Sequence, residues 1–143
     1  MEFMERAIEE AKKAVCDIPV GAVIVKDGEV IASAFNTKEN DNDVTSHAEI
    51  LAIRKAEQVL GNWRLDGCEM YVTLEPCPMC GWAILQSRIK TLYFGSYDAS
   101  YGAFTSKIDL REVANSKLNV YGGIREEECD EIIKEFFCNI RTQ

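Results

Sequence analysis

The sequence is short of basic residues, and this shortage narrows the classes of function open to it. Lys and Arg total 16 against 24 Asp and Glu, so the formal net charge is −8. A protein that coats nucleic acid without sequence preference needs a basic surface to displace counterions, so the charge argues against this class. Net charge is an average over the chain, and recognition of one folded RNA needs only one basic face.

Long apolar segments are also missing. No run approaches the roughly 20 apolar residues that cross a bilayer, and residues 1–6 lack the basic start and apolar stretch of an export signal. We therefore expect a cytoplasmic protein with no membrane partner. The 143 residues, 47% hydrophobic and 28% charged, are typical of one globular domain, which we expect to span 1–143.

Six cysteines are present. An even number in a small chain is compatible with a disulfide framework, but without an export signal this interpretation is weak. Only Cys77 and Cys80 have the spacing of metal ligands. The other four are predicted to be ordinary small apolar residues; they are Cys16, Cys68, Cys129 and Cys138.

Short apolar runs alternate with segments of helical periodicity, which predicts an α/β protein. Helices are predicted over residues 2–16, 46–60, 78–86 and 126–140. Strands are predicted over residues 20–25, 30–35, 70–74, 91–94 and 118–121. Asp27–Gly28 predicts a tight hairpin turn, and Gly61 predicts the end of the second helix. Residues 37–45 and 95–106 are predicted to be irregular.

Cys77 and Cys80 stand at the predicted start of the third helix. Their spacing of three residues puts both sulfurs on one side of the first turn, where the helix dipole favours thiolates. Thiolates bind zinc, but thiol–disulfide enzymes use the same spacing. The motif alone leaves both a zinc site and a redox pair open.

The only histidine of the chain, His47, favours the zinc site. Three protein ligands and an open position are typical of catalytic zinc, although the sequence leaves Cys68 open as a fourth ligand. Glu49 lies two residues after His47, on a different face of an ideal helix. We therefore expect the metal beyond the helix end, within reach of both. Ser46 and Glu49 also match a capping box, which leaves a structural role open for Glu49.

These motifs resemble those of the cytidine deaminase-like zinc deaminases, and more closely those of bacterial tRNA-specific adenosine deaminases. The superfamily signature H-x-E…P-C-x-x-C is matched by His47–Glu49 and Pro76–Cys80. Further similarity covers most of the chain, at residues 18–23, Asn36, 73–77, 87–89, 94–95, 98–99, 122–124 and 135–137. The resemblance implies a three-layer α/β/α sandwich with a central mixed sheet of about five strands. Thr105 departs from the family, which commonly has glycine there, and the last helix has fewer basic residues than many members.

The resemblance also implies a reaction and a cofactor. His47, Cys77 and Cys80 would hold one zinc ion per chain, and Glu49 would be the catalytic acid and base. The implied reaction is the hydrolysis of adenosine to inosine at the tRNA wobble position, with release of ammonia.

Several residues are expected to contact the RNA, again by resemblance. The candidates for the base pocket and the neighbouring nucleotide are Pro19, Val20, Asn36, Ala48 and Asp98. The candidates for phosphate contacts are Arg88, Lys90, Lys107 and Arg141. The expected partner is the anticodon arm of tRNA, whose bases are splayed in a single-stranded loop. The family also implies a homodimer.

Three other functions remain open at this point. A deaminase of a free base, nucleoside or nucleotide, such as guanine, cytosine or cytidine monophosphate, would share the zinc chemistry. A catalytically inactive zinc- or RNA-binding subunit would keep the metal ligands and lose the residue that transfers protons. The presence of Glu49 argues against this class. A Cys-x-x-Cys oxidoreductase would bind no metal.

Overall fold

The computed structural model describes residues 2–141, apart from the side chain of Arg141. The strands are β1 (Gly21–Lys26), β2 (Glu29–Phe35), β3 (Glu69–Leu74), β4 (Thr91–Ser96) and β5 (Asn119–Tyr121). The helices are α1 (Phe3–Ala11), α2 (Lys38–Asp41), α3 (Ala48–Leu60), α4 (Pro78–Gln86), α5 (Leu110–Ala114) and α6 (Glu126–Arg141).

The five strands form one mixed sheet in the order β2-β1-β3-β4-β5. β1 is antiparallel to both of its neighbours, whereas β3, β4 and β5 run parallel to one another. The parallel pairs need crossover connections, and α4 makes the first of these between β3 and β4. The predicted mixed sheet of about five strands is confirmed.

Alternation along the strands divides the sheet into two buried faces. On one face, Ala22, Met70 and Leu92 join a core cluster with α3 and α4. On the other face, Val23 and Tyr71 join a smaller cluster with α1 and α6. The chain is therefore a three-layer α/β/α sandwich, as expected. In residues 2–141, no helix combines the length and the apolar character needed to cross a bilayer.

The hairpin between β1 and β2 turns at Asp27–Gly28, as predicted. Both residues have positive φ, 51° and 78°. This is the backbone that a two-residue type I′ turn requires and that Asp-Gly sequences favour. The register shifts by one residue between Ile24 and Val25, and beyond this shift Gly21 pairs with Phe35, so the two ends of the hairpin nearest the functional residues lie side by side.

The first helix is shorter than its apolar pattern predicts. The prediction of 2–16 is wrong beyond Ala11, where α1 ends. Ala11 is the last buried residue of the helix, and Val15 is 84% exposed. The apolar pattern continues past the point at which the helix leaves the sheet, so Val15 has no core to pack against.

Two short helices lie where the sequence predicts irregular structure or assigns none. α2 falls within the predicted loop 37–45, and α5 follows the predicted loop 95–106. Each has at most five residues, too few for helical periodicity to be visible. β4 continues to Ser96, two residues beyond the prediction, because Glu75 N–H donates to the Ser96 carbonyl and prolongs the pairing with the preceding strand.

Candidate metal centre and substrate cavity

The three predicted zinc ligands lie at the first turns of two helices. His47 is the extended residue before α3, and Cys77 is the extended residue before α4. Pro78 occupies the first position of α4, where its fixed φ suits a helix and its missing N–H costs nothing. Cys80 then lies one turn along, fully buried. The prediction that the second helix starts at residue 46 is wrong by two residues, and this places His47 off the helix end as the metal hypothesis requires.

The side chains of the three residues converge on one point. His47 Nδ1 lies 3.4 Å from Cys80 Sγ and 3.8 Å from Cys77 Sγ. All three ligand atoms lie within 4.8 Å of one another. A tetrahedral zinc ion, with bonds of about 2.0 Å to nitrogen and 2.3 Å to sulfur, spaces such atoms about 3.5–3.8 Å apart. The geometry therefore fits zinc, and the three residues are positioned to bind one ion.

The charges at this point also suit a cation. A hydrogen bond from the Cys80 thiol lowers the pKa of Cys77 to about 4, and the same bond raises the pKa of Cys80. The hydrogen bond to Cys77 raises the pKa of His47. These three side chains are therefore coupled through shared protons, and a metal ion binds such a group by displacing protons.

Glu49 lies in the first turn of α3 beside the ligands. It is buried, with 4% of its surface exposed. Burial raises the pKa of its carboxyl group to about 7, and the nearby negative charge of Cys77 adds to the effect. Its own backbone N–H and the Cys80 thiol oppose this rise. A carboxyl group with a pKa near neutrality can both accept and deliver protons.

The capping box that the sequence left open for Ser46 and Glu49 is not formed. α3 begins after His47 with no side-chain cap of its own, and Ser46 is buried before it. The Ala48 N–H donates instead to Asn36 Oδ1 at 2.7 Å. Asn36 Nδ2 donates to the Ile18 carbonyl at 3.0 Å, so Asn36 joins the end of β2 to the helix that carries Glu49.

A cavity of about 250 Å³ opens at these residues. It is slightly smaller than the range of about 300–1,000 Å³ typical of small-molecule sites. The predicted residues Val20, Asn36, Glu49 and Asp98 line it together with His47 and Cys77. The other lining residues are Asp17, Ile18, Lys38, Leu74, Glu75 and Tyr101.

Some of the predicted substrate contacts lie elsewhere. Pro19 and Ala48 are buried and are not among the lining residues. Arg88 and Lys90 are exposed beside a second cavity that shares no lining residue with the first.

Two further phosphate candidates are not placed at the cavity. Lys107 is exposed and absent from the lining set, and the side chain of Arg141 lies outside the described part of the chain. Lys38, which was not a candidate from sequence reasoning, is the basic side chain among the residues that line the cavity. The basic side chain at the cavity therefore belongs to α2, whereas the candidates chosen from the sequence lie between α4 and β4, before α5 and in the last helix.

Glu75 is the most consequential residue that sequence reasoning left without a role. It follows β3 directly and is 2% exposed. Burial alone would raise the pKa of Glu75, but hydrogen bonds from Ser106, Asp98 and Thr105 outweigh it and hold the pKa below its usual value. The available signal was a carboxylate between an apolar strand and Pro76, where a buried charge needs donors.

The remaining cysteines divide into two pairs. Cys68 and Cys129 are buried, as predicted for small apolar residues, whereas Cys16 and Cys138 are exposed, so the prediction is wrong for these two. All six are free of disulfides. Among the described residues, Cys68 is not part of the metal-binding group, so the site has three protein ligands.

Known proteins match this chain in sequence and in fold. Residues 1–96 match the family of the cytidine and deoxycytidylate deaminase zinc-binding region. The tRNA-specific adenosine deaminase of Bacillus subtilis is 43% identical over 99% of this chain and 90% of its own length. That of Agrobacterium fabrum is 45% identical over 94% of this chain and 91% of its own length.

Among solved structures, a tRNA adenosine deaminase superposes better on this chain than a guanine deaminase does. A structure from studies of A-to-I editing by tRNA:A34 deaminases superposes with a TM-score of 0.88 and 46% identity, covering 91% of this chain and 97% of that one. A guanine deaminase from Bacillus subtilis superposes with a TM-score of 0.64 and 36% identity, covering 79% and 88%. Because the match to the adenosine deaminases runs over nearly the full length of both partners, this chain belongs to the tRNA-specific adenosine deaminases, a family of zinc-dependent deaminases.

Proposed function

We propose that this protein hydrolyses adenosine to inosine at the wobble position of tRNA and releases ammonia. The observation that carries the proposal is the three-ligand metal site with Glu49 buried beside it, at the base of an open cavity. Membership of the tRNA-specific adenosine deaminase family supports adenosine in tRNA as the substrate. Residues 1–143 would act as one catalytic domain.

The zinc held by His47, Cys77 and Cys80 would supply Lewis-acid chemistry that makes water a nucleophile near neutral pH. Glu49 accepts a proton from the attacking water as the new C–O bond forms at C6 of adenine. It then delivers this proton to the ring nitrogen, and afterwards carries the proton of the new C6 hydroxyl to the amino group, so that the C6–N bond breaks and ammonia leaves as the C6 carbonyl forms. Its pKa near 7 suits both directions of transfer at physiological pH.

Other residues around the cavity would hold the base. Val20 forms a buried apolar part of the wall. Asn36 keeps a second N–H and a second lone pair for the edge of a purine while its bonds to Ile18 and Ala48 persist. Asp98 lies at the mouth, where the nucleotide next to the target would pass. Ala48 acts on the pocket indirectly, because its backbone N–H donates to Asn36 Oδ1 and holds the Asn36 side chain in place.

An inosine assay on anticodon stem-loops tests this proposal. One stem-loop carries adenosine at the wobble position, and its control carries the same adenosine one position away. Free adenosine, guanine, cytosine and cytidine monophosphate complete the panel. The proposal predicts turnover of the first substrate well above all others. Turnover confined to a free base would replace it with the free-base function that the guanine deaminase likeness favours.

Metal analysis tests the site independently of the substrate. The wild-type protein is expected to hold about one zinc per chain, and Cys80→Ser should hold much less. Cys68→Ala is the matched control, because this buried thiol lies outside the metal-binding group. If the protein contained no zinc and the thiols of Cys77 and Cys80 formed a reversible disulfide, the oxidoreductase function would be favoured instead.

The proposal also includes a homodimer and a cytoplasmic location, where tRNA is available. Exposed apolar side chains near the metal site support association of two copies. Met79 and Trp82, on the α4 helix that carries Cys80, are 37% and 42% exposed. Light scattering after size-exclusion chromatography would reveal a mass of two chains, and a monomer at micromolar concentration would contradict this part.

A further inference from the structure

The loop between β4 and α5, residues 97–109, brings two side chains to the cavity. Asp98 and Tyr101 both line it, and Tyr101 is 67% exposed. Both residues also border a neighbouring groove against α6. Substrate atoms beyond the target base would therefore meet this loop first, and its position determines where they can lie.

A single buried carboxylate holds the loop. Glu75 Oε2 accepts hydrogen bonds from the backbone N–H groups of Phe104, Thr105 and Ser106, at 3.2, 2.8 and 3.0 Å. Glu75 Oε1 accepts from the Asp98 N–H at 3.1 Å and from the Ser106 hydroxyl. Five donors from one loop thus surround a side chain that is 2% exposed.

The loop packs directly on this carboxylate. A Cβ atom at Gly102 would overlap the Glu75 carboxyl group, so this position has no room for a side chain. On the next residue, the Ala103 N–H donates to the Pro76 carbonyl at 2.9 Å. Glu75 and Pro76 immediately precede the zinc ligand Cys77, so the loop is fastened to the segment that delivers the metal.

The hydrogen bond from the Asp98 N–H to Glu75 also affects the position of the Asp98 side chain. Asp98 Oδ1 accepts from the N–H groups of Ser100 and Tyr101, at 3.0 and 3.1 Å, which closes a turn around its own side chain. The Gly102 N–H donates to the Asp98 carbonyl at 2.8 Å. Anchoring Asp98 to Glu75 therefore sets the direction of the Asp98 side chain and the place of Tyr101.

We propose that Glu75 is a positioning residue for the RNA substrate, which acts by holding Asp98 and Tyr101 at the mouth of the cavity. This inference rests on the function proposed above. Glu75 points its carboxylate at the loop, whereas proton transfer belongs to Glu49. Loss of the Glu75 anchor should therefore weaken substrate binding much more than it slows the chemical step.

Glu75→Gln is the appropriate change because it keeps size and removes half of the acceptor capacity. An amide nitrogen donates and cannot accept, so one of the two sets of N–H donors would face another donor. Kinetics with the wobble-adenosine stem-loop should show KM raised about tenfold, with kcat per bound zinc changed less than about threefold. A fall in kcat at unchanged KM would overturn the proposal.

A double-mutant cycle with Asp98→Ala separates positioning from general support. If Glu75 acts through Asp98, Glu75→Gln should raise KM little further in the Asp98→Ala background. Independent, additive effects on KM would contradict the proposal. Met4→Ala is the stability control, because Met4 is a buried residue of α1 in the other core cluster. It should lower the melting temperature comparably and leave KM unchanged.

Amide hydrogen exchange keeps this inference distinct from the proposed function. Glu75→Gln should lose protection at Asp98 and at Phe104–Ser106, while β1 and β3 stay protected. Local loss of protection in a protein without stem-loop activity would refute the RNA substrate and retain the anchor. Unchanged protection in the loop would refute the anchor whatever the substrate. Ser106→Ala, which removes one donor, provides a milder variant if Glu75→Gln folds poorly.

Discussion

Glu49 and Glu75 are two carboxylates of the same cavity, equally hidden from solvent and opposite in behaviour. Glu49 is 4% exposed and has its pKa raised to about 7 by burial. Glu75 is 2% exposed and has its pKa held below the usual value, because loop donors outweigh burial. Burial makes the charged form costly at both positions. The supply of hydrogen-bond donors differs between them, and Glu49 also lies beside the negative charge of Cys77.

The difference shows how one cavity can contain one carboxyl group that gains and loses a proton and another that stays ionised. A carboxylate that several N–H groups surround is stabilised as an anion and serves as a structural anchor. A carboxyl group with few donors changes its protonation state near neutral pH and suits proton transfer. The same substitution to glutamine should therefore have opposite consequences at the two sites.

The largest expected effect is the loss of turnover in Glu49→Gln. Removing the proposed proton carrier should lower kcat by about 10²- to 10⁴-fold, with zinc retained and the free energy of unfolding changed by less than about 1 kcal/mol. Steady-state kinetics, metal analysis and denaturant titration measure the three quantities. Glu57→Gln, on the same helix, serves as the control. Wild-type turnover in zinc-loaded Glu49→Gln would remove Glu49 from the mechanism.

The second effect is on stability. Glu75→Gln should lower the free energy of unfolding by about 2–4 kcal/mol, because buried N–H groups of the 97–109 loop lose their acceptor. Denaturant titration beside Glu49→Gln gives the comparison directly. Equal stability of the two glutamine variants would mean that donors do not distinguish the two carboxylates.

A smaller effect is expected from adding a side chain at Gly102, which packs directly against Glu75. Gly102→Ala places a methyl group on the carboxylate, and overpacking of this kind costs about 1–3 kcal/mol. Ser100→Ala in the same loop is exposed and should change stability by less than about 0.5 kcal/mol. Thermal unfolding followed by circular dichroism separates the two. A Gly102→Ala protein as stable as Ser100→Ala would show that the loop is not packed against Glu75.

The smallest effect comes from removing one donor of five. Ser106→Ala deletes the hydroxyl donor to Glu75 and keeps the backbone N–H, so the expected loss is about 1 kcal/mol. Thr105→Ala is a close control, since Thr105 serves Glu75 through its backbone N–H. Its stability should match that of the wild type. A larger loss in Thr105→Ala than in Ser106→Ala would reverse the assignment of the donors.

The elements visible from the sequence are those with a long pattern or a specific local signal. The strands of the hairpin, α3 and α4 follow from apolar runs, Asp27–Gly28 and Pro78. The end of α1 could not be predicted in this way. The apolar periodicity continues to Val15, but the sheet on which α1 packs ends before that residue. α2 and α5 are single turns held by loop contacts, and such contacts have no periodic signature.

The metal site could be predicted because its ligands are rare residue types in a fixed order. The anchor could not, because the donors to Glu75 are backbone N–H groups, which every residue except proline provides. This also explains why Thr105, at a position where the sequence resemblance leads us to expect glycine, fits the loop. It supplies the same N–H as any other residue, so its identity carries no information about the contact.

The Glu75 anchor sets a rule for engineering the specificity of this enzyme. All four proposed metal and proton-transfer residues precede residue 97, and the 97–109 loop follows them, so the loop looks exchangeable for that of another deaminase. A replacement must nevertheless present a residue without a side chain at position 102 and unsubstituted amides at 104–106. Grafts that break this spacing would leave an unpartnered anion two residues from a zinc ligand.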